Sequence, residues 1–107
     1  MLIDTHCHLY FDEIKNDLEN VFLRAKELGV TKFVCVGTNI SDSKMSLDLS
    51  RKYKYVYATA GIHPHDSKDV ELGYLNELRE ILSNNKVVAV GEIGLDYFRN
   101  ISTPKVQ

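Results

Sequence analysis

Strict alternation of short apolar runs with stretches of helical periodicity constrains this chain more than any other feature. Met1-Leu2-Ile3, Lys32 to Gly37, Tyr55 to Ala60 and Val87 to Glu92 are apolar, with β-branched and aromatic residues frequent among them. Runs of this kind read as buried strands. The segments between them read as helices. Asp12 is a fair N-cap for a helix to about Leu28, with Ile14, Leu18, Val21, Phe22, Ala25 and Leu28 on one face and Gly29 as its stop. Ser41 or Asp42 caps a second, with Met45, Leu49 and Tyr53 as its apolar face. Ser67 or Asp69 opens a third, whose buried stripe is Leu75, Leu78, Ile81 and Leu82. Ser102 or Thr103 before Pro104 has the form of one more helix start.

Four strands alternating with three helices predict an α/β fold of parallel strands joined by right-handed crossovers. A complete eightfold barrel takes about 250 residues. The 107 residues present correspond to half of one, a single partial domain over 1–107 truncated after the fourth strand. An open half-barrel leaves its first and fourth strands as bare edges and exposes its inner apolar face, so association is expected.

Composition narrows the partners. The formal net charge of −2 argues against a broad basic surface for gripping a nucleic-acid backbone. It leaves a nucleic-acid substrate open, because bound divalent cations supply positive charge locally. Neither cysteine suggests a disulfide framework, which suits a reducing compartment. Cys7 alternates away from its flanking histidines and reads as packing before it reads as a ligand. No run is long enough to span a membrane and no secretory signal is present, so the expected location is cytoplasmic.

The polar, chemically capable residues all fall where strands end, the edge on which parallel α/β architectures build sites. On an extended strand Asp4, His6 and His8 share a face, and two imidazoles at i and i+2 close on one metal ion. Glu92 adds a carboxylate at another strand end. Two imidazoles and a carboxylate suit Zn²⁺, Mn²⁺ or a similar ion. The plainer alternative is that His6 and His8 are core histidines satisfied by backbone partners. Asp4 lies deeper, where it could orient an imidazole.

Pro64 holds His63 extended and aims its side chain. A second pair, His63 and His65, thus follows the third strand. His63 is read either as a donor near the site or substrate contact, or as a residue that is simply buried or solvent-exposed, and His65 as a surface or helix-entry residue. Asp96, after Gly94, either faces the site or caps the next segment. Tyr97-Phe98 offer a stacking surface or packing. There is no Gly-rich phosphate loop and no nucleophile elbow. Any chemistry runs through metal.

Three blocks carry a resemblance: Ile3-Asp4-Thr5-His6-Cys7-His8-Leu9, Gly61-Ile62-His63-Pro64-His65 and Gly91-Glu92-Ile93-Gly94-Leu95-Asp96-Tyr97. In order and spacing they resemble the TatD family of metal-dependent deoxyribonucleases, over the whole chain but only the N-terminal half of a family member. The resemblance implies a (β/α)₈ TIM barrel with two divalent metal ions (Mg, Mn or Zn), and hydrolysis of phosphodiesters in DNA by a metal-activated water. It implies His6 and His8 on the first metal, Glu92 as the catalytic carboxylate bridging both, and His63 lining the pocket, with Asp96 and Asp4 as substrate-binding or supporting residues. The family's remaining ligands, two histidines and an aspartate from later strands, have no counterpart here. A missing C-terminal half or self-association would then be needed to close the barrel. The alternative is a truncated fragment without activity of its own.

Overall fold

The computed structural model describes all 107 residues. Along the chain run β1 (Leu2–Cys7), α1 (Asp12–Lys15), α2 (Leu18–Glu27), β2 (Val30–Val36), α3 (Ile40–Lys52), β3 (Val56–Ala60), a 3₁₀ segment (Pro64–Asp69), α4 (Tyr74–Leu82) and β4 (Val87–Val90). The strands form one sheet in the order β1-β2-β3-β4, and every neighbouring pair is parallel. Sequential order with right-handed crossovers puts the helices on one face, which is the arrangement of half a (β/α)₈ barrel.

Two clusters form the core on the helix side. Leu9, Tyr10, Leu18, Phe22, Phe33, Cys35 and Val56 make one; Leu47, Ala60 and Ile81 make the other. The central strands β2 and β3 carry the buried positions, whereas β1 and β4 are exposed along most of their length. The first and fourth apolar runs are thus edge strands and not buried ones. Leu2, Ile3, Val88 and Val90 stand open because no strand or helix lies beyond them.

Several local expectations are corrected. The first helix breaks at Asn16-Asp17, where the Asp17 carboxylate takes Asn20 (2.6 Å) and Arg24 (3.4 Å) and so competes with helical continuity. Its cap is Phe11, and Leu28 lies outside, exposed, before Gly29 at φ 86°. Asn39, not Ser41 or Asp42, caps α3 by accepting the Asp42 N–H at 2.8 Å.

The buried row of α3 is Ser43, Ser46, Leu47 and Ser50, while Met45 is exposed and Leu49 and Tyr53 only flank the first cluster. Small side chains let α3 lie close to the sheet: a Cβ on Gly37 would sit 2.7 Å from Ser43 Cα. The serine hydroxyls are satisfied locally, Ser50 on Leu47 O at 2.7 Å and Ser46 on Cys35 Sγ at 3.4 Å. Beyond β3 the chain turns through the 3₁₀ segment before α4 begins after Gly73 at φ 92°, with Leu75 exposed and Ile81 buried. Thr103 closes a turn, its carbonyl accepting from Val106 and Gln107, and no helix starts there.

Candidate metal centre

The tips of β2, β3 and β4 are tied together by the backbone. His63 N–H donates to Thr38 O at 2.6 Å, Gly91 N–H to Ala60 O at 2.9 Å and Glu92 N–H to Gly37 O at 2.8 Å. The Thr59 hydroxyl adds a bond to Gly91 O at 2.8 Å. This knot needs glycine at Gly61, where a Cβ would meet Gly91 C at 2.7 Å and Glu92 O at 2.8 Å. Glu92 is therefore held by its main chain before its carboxylate makes any contact.

Around this tip the structure brings together His6, His8 and Glu92, whose ligand atoms lie within 4.8 Å of one another. His6 Nε2 lies 3.4 Å from Glu92 Oε2, and His63 Nε2 lies 3.5 Å from Glu92 Oε1. The two imidazoles of β1 meet edge to face at 5.2 Å between centroids. His6 is exposed and His8 half-buried, so neither is a core histidine.

His8 is the better anchored of the two. Its Nδ1 lies 3.0 Å from Val36 O and 2.9 Å from the Tyr10 hydroxyl, which itself donates to Val36 O at 2.9 Å. A carbonyl facing Nδ1 requires the proton there, which leaves the Nε2 lone pair for a metal. Burial, then the nearby Asp42 charge, pushes the Tyr10 hydroxyl well above its ordinary pKa, so it remains a donor. Phe11 stacks on the His8 ring at 4.9 Å with planes 9° apart, fixing its tilt.

Asp4 does not orient either imidazole. Its Oδ1 accepts the backbone N–H of His6 at 3.1 Å, and the non-metal nitrogen of His8 is served by Val36 and Tyr10 instead. Cys7 packs against the first core cluster and donates to Val34 O at 3.3 Å. Burial pushes its thiol far above the ordinary range, and it stands outside the group of His6, His8 and Glu92.

His65 is no simple surface residue: its Nε2 lies 2.8 Å from Asp96 Oδ2, and its ring stands edge-on to His63 at 4.3 Å. Asp96 also caps its own segment, Oδ1 accepting from Phe98 N–H (3.0 Å) and Arg99 N–H (3.1 Å). Those bonds, the Arg99 N–H foremost and then His65, hold its carboxyl below the usual range. Tyr97 and Phe98 are exposed. A cleft of about 590 Å³ lies elsewhere, between α3 and the 3₁₀ segment, and none of His6, His8, His63 and Glu92 lines it.

The donor set fits a divalent ion. Tetrahedral donors at about 2.0–2.1 Å from zinc sit roughly 3.3 Å apart; His6 and Glu92 already stand at 3.4 Å, and all three donors lie within 4.8 Å of one another. Two neutral imidazoles and one carboxylate also suit manganese or a similar ion, and three donors leave positions open for water.

The family model described as TatD related DNase matches residues 3–107. The chain belongs to the TatD DNase family. Over 107 residues it is 36% identical to the 3'-5' ssDNA/RNA exonuclease TatD of Pectobacterium carotovorum, covering 99% of this chain and 41% of that protein. It is 37% identical to the Bacillus subtilis metal-dependent hydrolase YabD, covering 100% of this chain and 42% of that protein. Among solved structures it is similar to the Escherichia coli TatD homologue YJJV (TM-score 0.83, 38% identity, 91% of this chain and 38% of that one). The TatD family hydrolase of Entamoeba histolytica also matches (TM-score 0.87, 29% identity, 98% and 41%). The chain thus spans about two fifths of the TatD relatives it matches, and its fold is the N-terminal half of their barrel.

Sequence reading missed the part of Tyr10 in holding His8, since a tyrosine two residues past a histidine carries no distinctive signal. It also missed the network at the tip of β2. There the Thr38 hydroxyl donates to Asp42 at 2.5 Å and Asn39 Nδ2 to Asp66 at 3.0 Å, joining α3 to the 3₁₀ segment.

Proposed function

We propose that this chain is the metal-binding portion of a TatD-type hydrolase that cleaves phosphodiester bonds in DNA or RNA. The observation that carries the reading is the convergence of His6, His8 and Glu92 on one point from opposite edges of the sheet. Divalent ions at such a site supply a water of lowered pKa and neutralise phosphate charge. The chain's own residues hold and orient: His8 through Nε2 with Val36 fixing its tautomer, His6 from the same strand, and Glu92 with one carboxylate oxygen toward each of His6 and His63. The small negative net charge fits a substrate gripped through metal and not through a basic groove.

The open edges β1 and β4 favour a second component of this reading: further strands close the barrel, from additional chain, a separate polypeptide or another copy. Without them the three donors form a metal site short of a full catalytic shell. Two free thiols accord with a reducing, cytoplasmic setting. The test is metal-dependent cleavage of single-stranded DNA by the purified chain, beside a His6→Ala control. Hydrolysis that needs metal and disappears in the control supports the reading, and hydrolysis undiminished by His6→Ala refutes it. Metal binding without cleavage assigns the chain the metal-holding share alone.

A further inference from the structure

We infer that His63 faces the centre as a hydrogen-bond donor for a substrate phosphoryl oxygen and not as a metal ligand, and that His65 and Asp96 position it. This rests on the hydrolase reading above. The backbone N–H of His65 donates to His63 Nδ1 at 3.1 Å. A neutral imidazole carries one N–H and one lone pair, so a ring that accepts at Nδ1 has its proton on Nε2. His8 has the opposite polarity, with Nδ1 on the Val36 carbonyl and the Nε2 lone pair directed outward. Two histidines, one past the end of β1 and the other past the end of β3, therefore present opposite faces, one a lone pair and the other an N–H.

The His63 N–H is not committed. Glu92 Oε1 lies 3.5 Å from Nε2, beyond the 2.7–3.2 Å of a good N–H···O bond. An anionic oxygen beside Glu92 would take it, and in a phosphodiester that is a non-bridging oxygen next to the ions. Such a donor, aimed before substrate arrives, stabilises developing charge without reorganisation.

The aim is built in layers. His63 is extended at φ −62° and ψ 145°, as the following Pro64 demands. The His65 ring lies edge-on against it at 4.3 Å and is held by Asp96 at 2.8 Å. Asp96 is clamped in turn by the Gln107 side chain, which accepts its N–H and donates to its carbonyl, both at 2.8 Å. The Ser102 hydroxyl donates to His65 O at 3.1 Å.

The test reads the tautomer directly, by long-range ¹H–¹⁵N correlation on the labelled 107-residue chain at pH 8, where ordinary imidazoles are neutral. The expected result is His63 as the Nε2–H form and His8 as the Nδ1–H form; His63 found as Nδ1–H overturns the proposal. In Asp96→Asn, His63 should become a mixture of the two forms, and an unchanged single form removes Asp96 from the positioning role. Zinc titration separates donor from ligand. His63→Gln, which keeps an N–H near the Nε2 position, should bind within about threefold of the unmodified chain, whereas His6→Ala falls at least tenfold. Equal losses in the two variants would make His63 a ligand and overturn the proposal. A chain that binds no zinc refutes the hydrolase reading instead, and the tautomer measurement still decides this one.

Discussion

His6 on β1 and Glu92 just past β4 come within 3.4 Å of each other, although their strands are the two outer members of a four-stranded sheet. At about 4.8 Å between neighbours, a flat sheet would hold those strands roughly 14 Å apart. The strand tips must curl toward one another, and the Glu92 N–H shows it by reaching past β3 to Gly37 O on the β2 side. The centre is thus a product of sheet curvature, set by backbone contacts that leave no room for side chains.

Gly61 is where that dependence is sharpest. Gly61→Ala places a methyl 2.7 Å from Gly91 C, against main chain that has nowhere to yield. Overpacking of this kind costs about 1–3 kcal/mol. Urea unfolding should show that loss, and metal affinity should fall with it because Glu92 is displaced; a variant as stable and as tight-binding as the parent would count against the knot.

Tyr10→Phe tests the support of His8. It removes a hydroxyl shared between Val36 O and His8 Nδ1. Losing one such bond costs about 1 kcal/mol of stability. Partners behind a metal-binding histidine are worth 10–100-fold in affinity, and with Val36 O still in place the lower end, roughly tenfold, is expected. Calorimetric metal titration checks it, and unchanged affinity would show that Val36 alone suffices.

Much of this was legible beforehand, and the failures have physical causes. The strand and helix alternation, the parallel sheet and the grouping of His6, His8 and Glu92 follow from period and position along the chain. The face of α3 does not follow, because hydrophobicity points to Met45, Leu49 and Tyr53 while the row against the sheet is Ser43, Ser46, Leu47 and Ser50, with Ser43 hard against Gly37. Alternation would put Asp4 on the face of His6, but the pairing of β1 with β2 is irregular between Asp4 and Cys7, and the short Asp4 side chain bonds the His6 N–H instead. His65 enters the 3₁₀ segment, as one of its two readings has it, but its tie to Asp96 is not legible because that partner lies far along the chain and no local pattern joins them.

The Asp96 carboxyl gives a pH prediction. Its pKa is lowered from the ordinary 3.8 by the Arg99 N–H and then by His65. A carboxyl depressed on folding stabilises fully above its unfolded value and loses that contribution as pH falls through the folded one. Order in the 96–99 turn, followed by amide protection, should hold down to about pH 4 and weaken below it. In Asp96→Asn that acid-dependent step should vanish; its persistence would assign the step to another group.

The open apolar edges make a prediction about assembly. With Val88 and Val90 exposed on β4 and Leu2 and Ile3 on β1, the chain should associate as its concentration rises. Val88→Lys should shift sedimentation toward the monomer, whereas a parent chain monomeric at high concentration would contradict the expectation.

The central claim is that His6, His8 and Glu92 bind one divalent ion together. Isothermal titration of the purified chain with Zn²⁺ or Mn²⁺, beside His6→Ala and Glu92→Ala, addresses it directly. The account predicts one ion per chain at this site and at least a tenfold loss of affinity in each variant. Binding that survives both substitutions unchanged would contradict it.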